Sequence, residues 1–537
     1  MAQETTASSP QRVAGDAGAP RLGPFRHPVY RNLWIATVAA NIGAWMYNAA
    51  AGWLMTSLNP APLMVSLVQV ATTLPMFLFA LPAGALADII DKRRFILVLE
   101  ILSVVTAGLF ALLVSLDLVT PAALLAFMFV IGTITAIEAP AWQSVVPLLV
   151  PRQDLTSAIA ANSVGINISR AVGPALAGVI IGSWSMAAPF SVNVGCNLAC
   201  VAALWWWRPA PAPAKDLPPE SFGNAILVGL RHARYNAPLR ATLVRASGFF
   251  FFASAYWALL PLLAREQVEG GAGTYGWMLG SIGIGAIIGA FLLPRVKARR
   301  GPNWVIAAGS AGTALALLVF AIATRSAVAL AAGFLAGISW IAVLATLNVS
   351  AQTSLPGWVR GRGLAVYTTV SFGAMTLGSL LWGEFGADFG LPAAHALAAS
   401  ALLITAVALR RRKLQKGSGP DLTPSMYWPL PVLPEHGDKE RGPVLVVVDY
   451  RIAAADRKQF LDAVQRLGAA RKRNGSYRWG VFEDAAEPGH WIETFVVDSW
   501  LEYLRELKRV THADLELVQA VKRFHQGGEP RISRFVA

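Results

Sequence analysis

In the first 413 residues Lys and Arg fall on every second gap between apolar stretches about 20 residues long, a pattern that suits a chain threading repeatedly through a bilayer. One set of gaps holds Arg12, Arg21, Arg26 and Arg31, then Lys92, Arg93 and Arg94, then Arg152, then Arg208, Lys215, Arg231, Arg234, Arg240 and Arg245. It continues with Arg295, Lys297, Arg299 and Arg300, then Arg360 and Arg362, then Arg410 to Lys413. The alternate set holds only Arg265 and Arg325. Cations close to a span stay on the cytoplasmic side, so the first set, and with it both chain ends, is expected to face inward.

Composition excludes the other classes. With 55% hydrophobic and 14% charged residues and 18 Trp among 537, a soluble fold would need an implausibly apolar surface. The net charge of +14 does not mark a nucleic-acid protein: residues 443–537 carry 15 basic and 13 acidic groups, which leaves +12 on the span-bearing part. That excess is a topology signal, attracted to anionic inner-leaflet lipid. Cys196 and Cys200 stand one helical turn apart inside an apolar stretch, as small packing residues.

Apolar stretches of spanning length begin near Asn32, Leu63, Phe95, Pro121, Leu155 and Ala187, and again near Arg240, Gly273, Pro302, Ala327, Gly361 and Leu391. The expected fold class is a membrane all-α protein with twelve spans in two six-helix halves, residues 25–207 and 241–413. Residues 1–24 lack the apolar core of a signal peptide and read as a disordered tail. Residues 208–240 form a cytoplasmic linker: a Pro-rich opening followed by a basic amphipathic helix lying on the inner surface. The halves echo one another, AWQSVVPLLVPRQDLTSA (141–158) with AQTSLPGWVRGRGLA (351–365) and GALADIIDKRR (84–94) with GAFLLPRVKARR (289–300). Repeated halves place a substrate cavity at their interface near the midplane.

At the second-to-third junction the chain resembles the major facilitator superfamily, whose Gly-x-x-x-Asp-Arg-x-Gly-Arg-Arg signature aligns with Gly84, Asp88, Lys92, Arg93 and Arg94. Ile89 replaces the first Arg and Asp91 the second Gly. The resemblance implies a cytoplasmic gate in which Asp88 and the cations form ion pairs that break as the halves rock; the plainer reading is that the cations only fix topology. The fifth span carries GINISRAVGPALAG (165–178), similar to the Gly-Pro-x-x-x-Gly segment of exporters in that superfamily. Gly173, Pro174 and Gly178 are expected to let helices pack closely and bend.

Ionisable groups inside a span cost roughly 2.5–3.5 kcal/mol on insertion scales and usually face a cavity or a partner. Arg170 lies roughly 22 Å into the fifth span, too deep for topology to explain. Glu138 sits in the inner third of the fourth span. One reading makes Glu138 a proton-exchanging carboxylate and Arg170 an anion partner; the other makes them an ion pair bracing two helices. Glu100 is expected to reach the cytoplasmic interface. The fourth span, residues 122–142, lacks the Arg that proton-coupled drug exporters of the superfamily often carry. Asn41, Trp45 and Asn48 fall at i, i+4 and i+7 on one face of the first span and are further cavity candidates, as are Tyr256 and Trp257 in the seventh.

After a Gly- and Pro-rich linker (414–442) the character changes. VLVVVDYRI, SYRWGVFED, HWIETFVVD and RISRFVA read as strands, with helices at 454–474, about 499–509 and 512–525. That order predicts an α+β ferredoxin-like domain over 443–537 in the cytoplasm. The segment RKRNGSYRWGVFEDAAEPGHWIETFVVDSWLEYLRELKRVTHADLELVQAVKRFHQGGEP closely resembles the ending of the transmembrane secretion effector family, and the similarity runs over residues 24–537. It implies a secondary exporter of the bacterial inner membrane that moves a small amphipathic molecule, such as a siderophore, drug or secreted metabolite, by alternating access. Protons are the expected coupling ion, since no Gly-x-x-x-x-Gly-Lys-Ser/Thr phosphate loop occurs. No cofactor, metal or nucleic acid is called for; membrane lipid and self-association through the tail complete the expected partners. The alternatives are an importer of the same fold and a membrane-anchored enzyme with a monooxygenase-like tail. His490, His512 and His525 lack metal-ligand spacing, and Trp479, Trp491 and Trp500 suit a core or a dimer face.

Overall fold

Each long apolar run becomes one helix, because backbone polar groups that cannot reach water must pair within their own segment. The computed structural model describes residues 23–86, 90–208, 222–415, 421–425 and 441–537. The first six helices are α1 (Pro28–Leu58), α2 (Pro62–Leu86), α3 (Lys92–Ser115), α4 (Pro121–Leu149), α5 (Leu155–Ser183) and α6 (Ala188–Trp206). A short helix, α7 (Phe222–Tyr235), precedes the next six: α8 (Ala237–Leu262), α9 (Ala272–Arg300), α10 (Pro302–Ile322), α11 (Ser326–Thr353), α12 (Arg360–Phe389) and α13 (Leu391–Ala408). Pro occupies the first turn of α1, α4, α6, α8, α10 and α13, where its missing N–H leaves no bond unmade. Asp91, Thr120 and Asn236 cap α3, α4 and α8 by accepting from Arg94 N, Ala123 N and Leu239 N. Asp91 therefore has local work in place of the signature Gly.

Among the described residues eleven helices are long and apolar enough to cross a membrane: α2 to α6, and α8, extended by a wide turn to Gln267, through α13. This differs from the twelve expected. The exception is α1, which is 31 residues long but carries Arg31, Asn32, Asn41 and Asn48. It packs along α5 and α6 all the same. The expected tail at 1–24, the linker opening at 209–221 and Asp88 of the expected gate lie largely or wholly outside the described residues.

The two halves meet along two seams. In one, α2 lies against α12: Thr376 Oγ1 donates to Thr73 Oγ1 (2.8 Å), and a Cβ on Gly84 would stand 3.6 Å from that of Ala365. In the other, α5 crosses α9. A Cβ on Gly178 would lie 2.8 Å from Ala272 O and 3.0 Å from Gly276 Cα, so only glycine allows this backbone approach. Close contact continues to Ala171 against Gly283. Beyond that point Gly165 of α5 faces Val38 of α1, and Gly285 and Gly289 of α9 face Phe334 and Ile338 of α11. Each helix has turned to its own half. At the other end of the molecule residues 49–56 of α1 and 258–264 of α8 are buried throughout. There Arg265 Nη1 donates to Thr56 Oγ1 and Ser57 Oγ (3.0 Å each) across the halves.

The tail is a four-stranded antiparallel sheet in the order β2-β3-β1-β4. Its strands are β1 (Val444–Arg451), β2 (Arg478–Glu483), β3 (His490–Val497) and β4 (Ile532–Val536). Three helices accompany them: α14 (Arg457–Asn474), α15 (Trp500–Arg509) and α16 (His512–Lys522). Alternate residues of β1 and β3 are buried against the helices with Phe460, Val464 and Leu467 of α14, and the core takes in Trp491 and Trp500. The tail sits on the end of the bundle that carries α7. Arg231 donates to Gly475 O, Lys472 lies over the Tyr235 ring (5.9 Å), and the Arg509 guanidinium lies 4.5 Å from the ring centre of Trp358.

The α5–α9 seam yields a direct test with an internal control. Gly178→Val should lower the unfolding midpoint in detergent, since overpacking costs about 1–3 kcal/mol. Gly182→Val, on the same helix with nothing within 4 Å of its Cβ position, should leave it unchanged; equal midpoints for the two would remove the seam's dependence on Gly178.

Candidate functional site

At the middle of the bundle one charged side chain lies against an aromatic ring that leads into a cluster of rings from the opposite half. Arg170 is the sixteenth of the 29 residues of α5, and its guanidinium lies 5.3 Å from the ring centre of Trp45 on α1. Trp45 stands 6.5 Å from Trp257 on α8, which lies 5.3 Å from Tyr256 and 5.5 Å from Trp340 on α11. The Nε and Nη1 of Arg170 are sealed from solvent and have no hydrogen-bond partner, and it forms no ion pair among the described residues.

Local sequence produces this cluster. Gly173 faces α1: a Cβ there would lie 2.6 Å from Trp45 Cβ and 2.8 Å from Ile42 O. Its bare backbone brings α1 onto α5 and sets Trp45 beside Arg170, which stands one turn earlier. Pro174 follows in the same close-packed stretch, its carbonyl against Gly276. Asn41 and Asn48 share the α1 face with Trp45, and all three are half-buried. Their Nδ2 groups donate to Thr37 O and Ala44 O within α1 (2.8 Å each).

Glu138 does not meet Arg170. Its hydrogen-bond partner is Trp142, which donates from Nε1 to Oε1, and Glu100 of α3 lies beside it. Glu100 is buried and also touches Cys200 of α6. This corrects two expectations: the Glu138–Arg170 brace is absent, and Glu100 does not reach the interface. Counting inward explains the pairing. Glu100 lies roughly 12 Å along α3 from its start, and Glu138 roughly 16 Å along the antiparallel α4 from its end. Two carboxyl groups placed side by side can hydrogen-bond to each other only when one of them carries a proton, because carboxylate oxygens alone only accept.

Of the expected gate, Arg93 turns to its own half, where Nε and Nη2 donate to Leu204 O (3.0 Å) and Trp205 O (2.7 Å) at the end of α6. Lys92 and Arg94 form no ion pair among the described residues.

In the tail, Glu493 is fully enclosed and accepts from Trp479 Nε1 (3.0 Å) and Tyr450 OH (3.1 Å), with Arg471 at 3.5 Å. This network is satisfied by its own members. His490 lies beside Asp449 and Asp484, and His525 accepts from Arg451 N. No group of metal-ligating side chains occurs among the described residues.

A family model described as transmembrane secretion effector matches residues 19–537. The chain belongs to the transmembrane secretion effector family. Its relatives include the multidrug efflux pump Tap of Mycolicibacterium fortuitum, 26% identical over 72% of this chain and 97% of that protein. The staphyloferrin A transporter of Staphylococcus aureus is 26% identical over 48% of this chain and 64% of its own length. The enterobactin exporter EntS of Salmonella typhimurium is 23% identical over 67% and 86%. Among solved structures, a bacterial homologue of the lysosomal transporter Spinster, inward-facing and unoccupied, aligns over 72% of this chain and 95% of that one with 14% identity and TM-score 0.54. An auto-inhibited peptide transporter of the POT family aligns over 73% and 99% with 13% identity and TM-score 0.58. This secretion effector is thus a multi-pass transporter of the major facilitator superfamily and not an enzyme.

A feature the sequence did not announce is the joint between the tail and the bundle. His232 of α7 is fully buried there, its Nε2 3.1 Å from Asn236 Nδ2 and its ring edge-on to Trp358. Asn236 Nδ2 donates to Ser354 O (2.7 Å), and Arg473, Arg509 and Asp514 stand nearby. Burial, aided by Arg473, pushes the His232 pKa down to about 4. The docked state therefore holds a neutral ring. Its contribution is fully present above the free-imidazole value of about 6.5 and is lost as pH falls from there toward 4, on the order of 3 kcal/mol in all. Hydrogen exchange of residues 471–476 in the full chain, corrected for intrinsic rates, should rise between pH 7 and pH 5. In His232→Gln that rise should be absent; a rise of the same size would place the pH response elsewhere.

Proposed function

We propose that this transporter is a proton-coupled exporter of a small amphipathic molecule, a siderophore, drug or secreted metabolite, working by alternating access in the bacterial inner membrane. The observation that carries the reading is the central cluster that both halves build, Arg170 and Trp45 from one and Tyr256, Trp257 and Trp340 from the other. A cargo held between halves that rock is released on the opposite face. The names of the relatives, an efflux pump and a siderophore exporter, support the outward direction.

On this reading α1 is the twelfth span, and its asparagines face cargo instead of lipid. The basic loops, the chain ends and the tail lie on the cytoplasmic side. The seams support a cavity that opens toward the tail and is closed at the far end by Arg265 with Thr56 and Ser57. The Glu100–Glu138 pair is the proton-carrying site. Gly84, Asp88, Lys92, Arg93 and Arg94 form the gate, with Arg93 anchoring α3 to α6 and Lys92 and Arg94 available to the opposite half. Strand order supports a ferredoxin-like assignment for the tail, which serves self-association or regulation and performs no chemistry.

The test uses inside-out vesicles with a pH-sensitive dye and a panel of candidate cargoes. An imposed proton gradient should drive cargo into the vesicles, with protons moving the other way. Glu138→Gln should lose gradient-driven transport while keeping cargo binding, and Glu100→Gln should share the defect. Unchanged proton flux in both variants contradicts the proton site, and gradient-driven movement out of the vesicles makes the chain an importer.

A further inference from the structure

Arg170 lacks what a structural arginine has. A guanidinium that braces helices is held by a carboxylate or by backbone carbonyls, as Arg93 at the start of α3 is held by Leu204 O and Trp205 O, and the buried Arg245 by Leu409 O (3.2 Å). Arg170 has neither among the described residues, and the face of Trp45 lies 5.3 Å from its guanidinium. The nearest deep carboxylates do not neutralise it: Glu138 accepts from Trp142, and Glu100 is buried on α3 beside Glu138. An unpaired interior charge is a standing cost to the fold, so its natural complement is an anion that comes and goes.

We infer that Arg170 is the recognition point for an organic anion, a cargo with an aromatic or conjugated planar body and one carboxylate or equivalent acidic group. This rests on reading the central cluster as the cargo site. The guanidinium offers a planar fork of donors that matches a carboxylate in bidentate geometry. Trp45, Trp257 and Trp340 supply faces and edges on which a ring can stack. Asn41 and Asn48 spend their amide N–H groups on their own helix, so their Oδ1 atoms are left to accept from hydroxyl or amide groups of the cargo. A cationic cargo is disfavoured, since it would face an unneutralised guanidinium without a carboxylate to receive it.

The inference is tested on the full chain in nanodiscs with three matched probes: 1-naphthoate, 1-naphthamide and 1-naphthylmethylammonium. The naphthoate should bind at least ten-fold more tightly than the amide, with the ammonium weakest. Arg170→Gln should erase the difference between acid and amide, and Arg170→Lys should keep a reduced preference for the acid. Arg170→Leu should melt at a higher temperature than the wild type while losing naphthoate binding, which separates a recognition role from a bracing one. Amide binding equal to that of the acid in the wild type, acid preference surviving in Arg170→Gln, no naphthoate binding, or a lower melting temperature in Arg170→Leu would each overturn the inference. Vesicle transport distinguishes the two readings. Gradient-driven export of neutral or cationic compounds by both wild type and Arg170→Gln keeps the exporter and removes the anion site. Naphthoate binding that needs Arg170, with no directional transport of any compound, keeps the anion site and removes the exporter.

Discussion

The centre of this molecule depends on two absent side chains on one helix. Gly173 lets α1 close on α5, and Gly178, one and a half turns further, lets α9 of the opposite half do the same. In hydrocarbon no hydrophobic force draws helices together, so their affinity comes from close van der Waals approach, which small residues permit. Both contacts therefore hold the bundle and also aim its chemistry. The first sets Trp45 against Arg170; the second fixes where the halves meet, beyond the plane of that charge. A methyl group at either position would widen a helix pair that the central cluster needs narrow.

Much of this was legible in the sequence, and the failures have definite causes. Eleven of the twelve expected span starts fall within three residues of the observed helix starts, because length and apolarity are local properties that tertiary packing does not override. The exception is α1, whose apolar run starts near Asn32 while the helix already begins at Pro28. The tail's four strands were legible in its alternating patterns, and the observed register buries Val446, Val448, Phe495 and Val497 together. What the sequence concealed was pairing across helices. Glu138 and Arg170 sit on consecutive spans, yet partner choice is made by depth and helix face. Glu100 lies only about two turns from the loop, yet it is buried beside Glu138 instead of reaching outward. The joint at His232 and Trp358 combines α7 with a turn more than a hundred residues away, and no local pattern signals such a contact.

The deep ionisable groups are distributed unevenly. Arg170, Glu100 and Glu138 belong to the first half; the second half has Arg245 at a depth like that of Glu100, held by Leu409 O, and around the central charge it presents Tyr256, Trp257 and Trp340. The two halves thus divide the work, one carrying charge and the other offering an apolar, polarizable wall. As rigid bodies rock, the distance from the guanidinium to the acid pair stays nearly constant, while the distance from the guanidinium to the tryptophans changes.

On the proposed reading this division bears on how proton and cargo communicate. A direct exchange of partners, with a carboxylate releasing Arg170 as it takes a proton, is excluded in this conformation by the separation of the two sites. Coupling has instead to pass through helix position. Protonation changes whether α3 and α4 share one proton or repel each other across Cys200 and Trp142. The resulting shift of α4 reaches α5 through the short turn at Pro151, and α5 carries both Arg170 and the Gly178 seam. One helix then reports the proton state to the cargo site and to the half interface together. That arrangement needs no Arg in the fourth span, which accounts for the absence of one between residues 122 and 142.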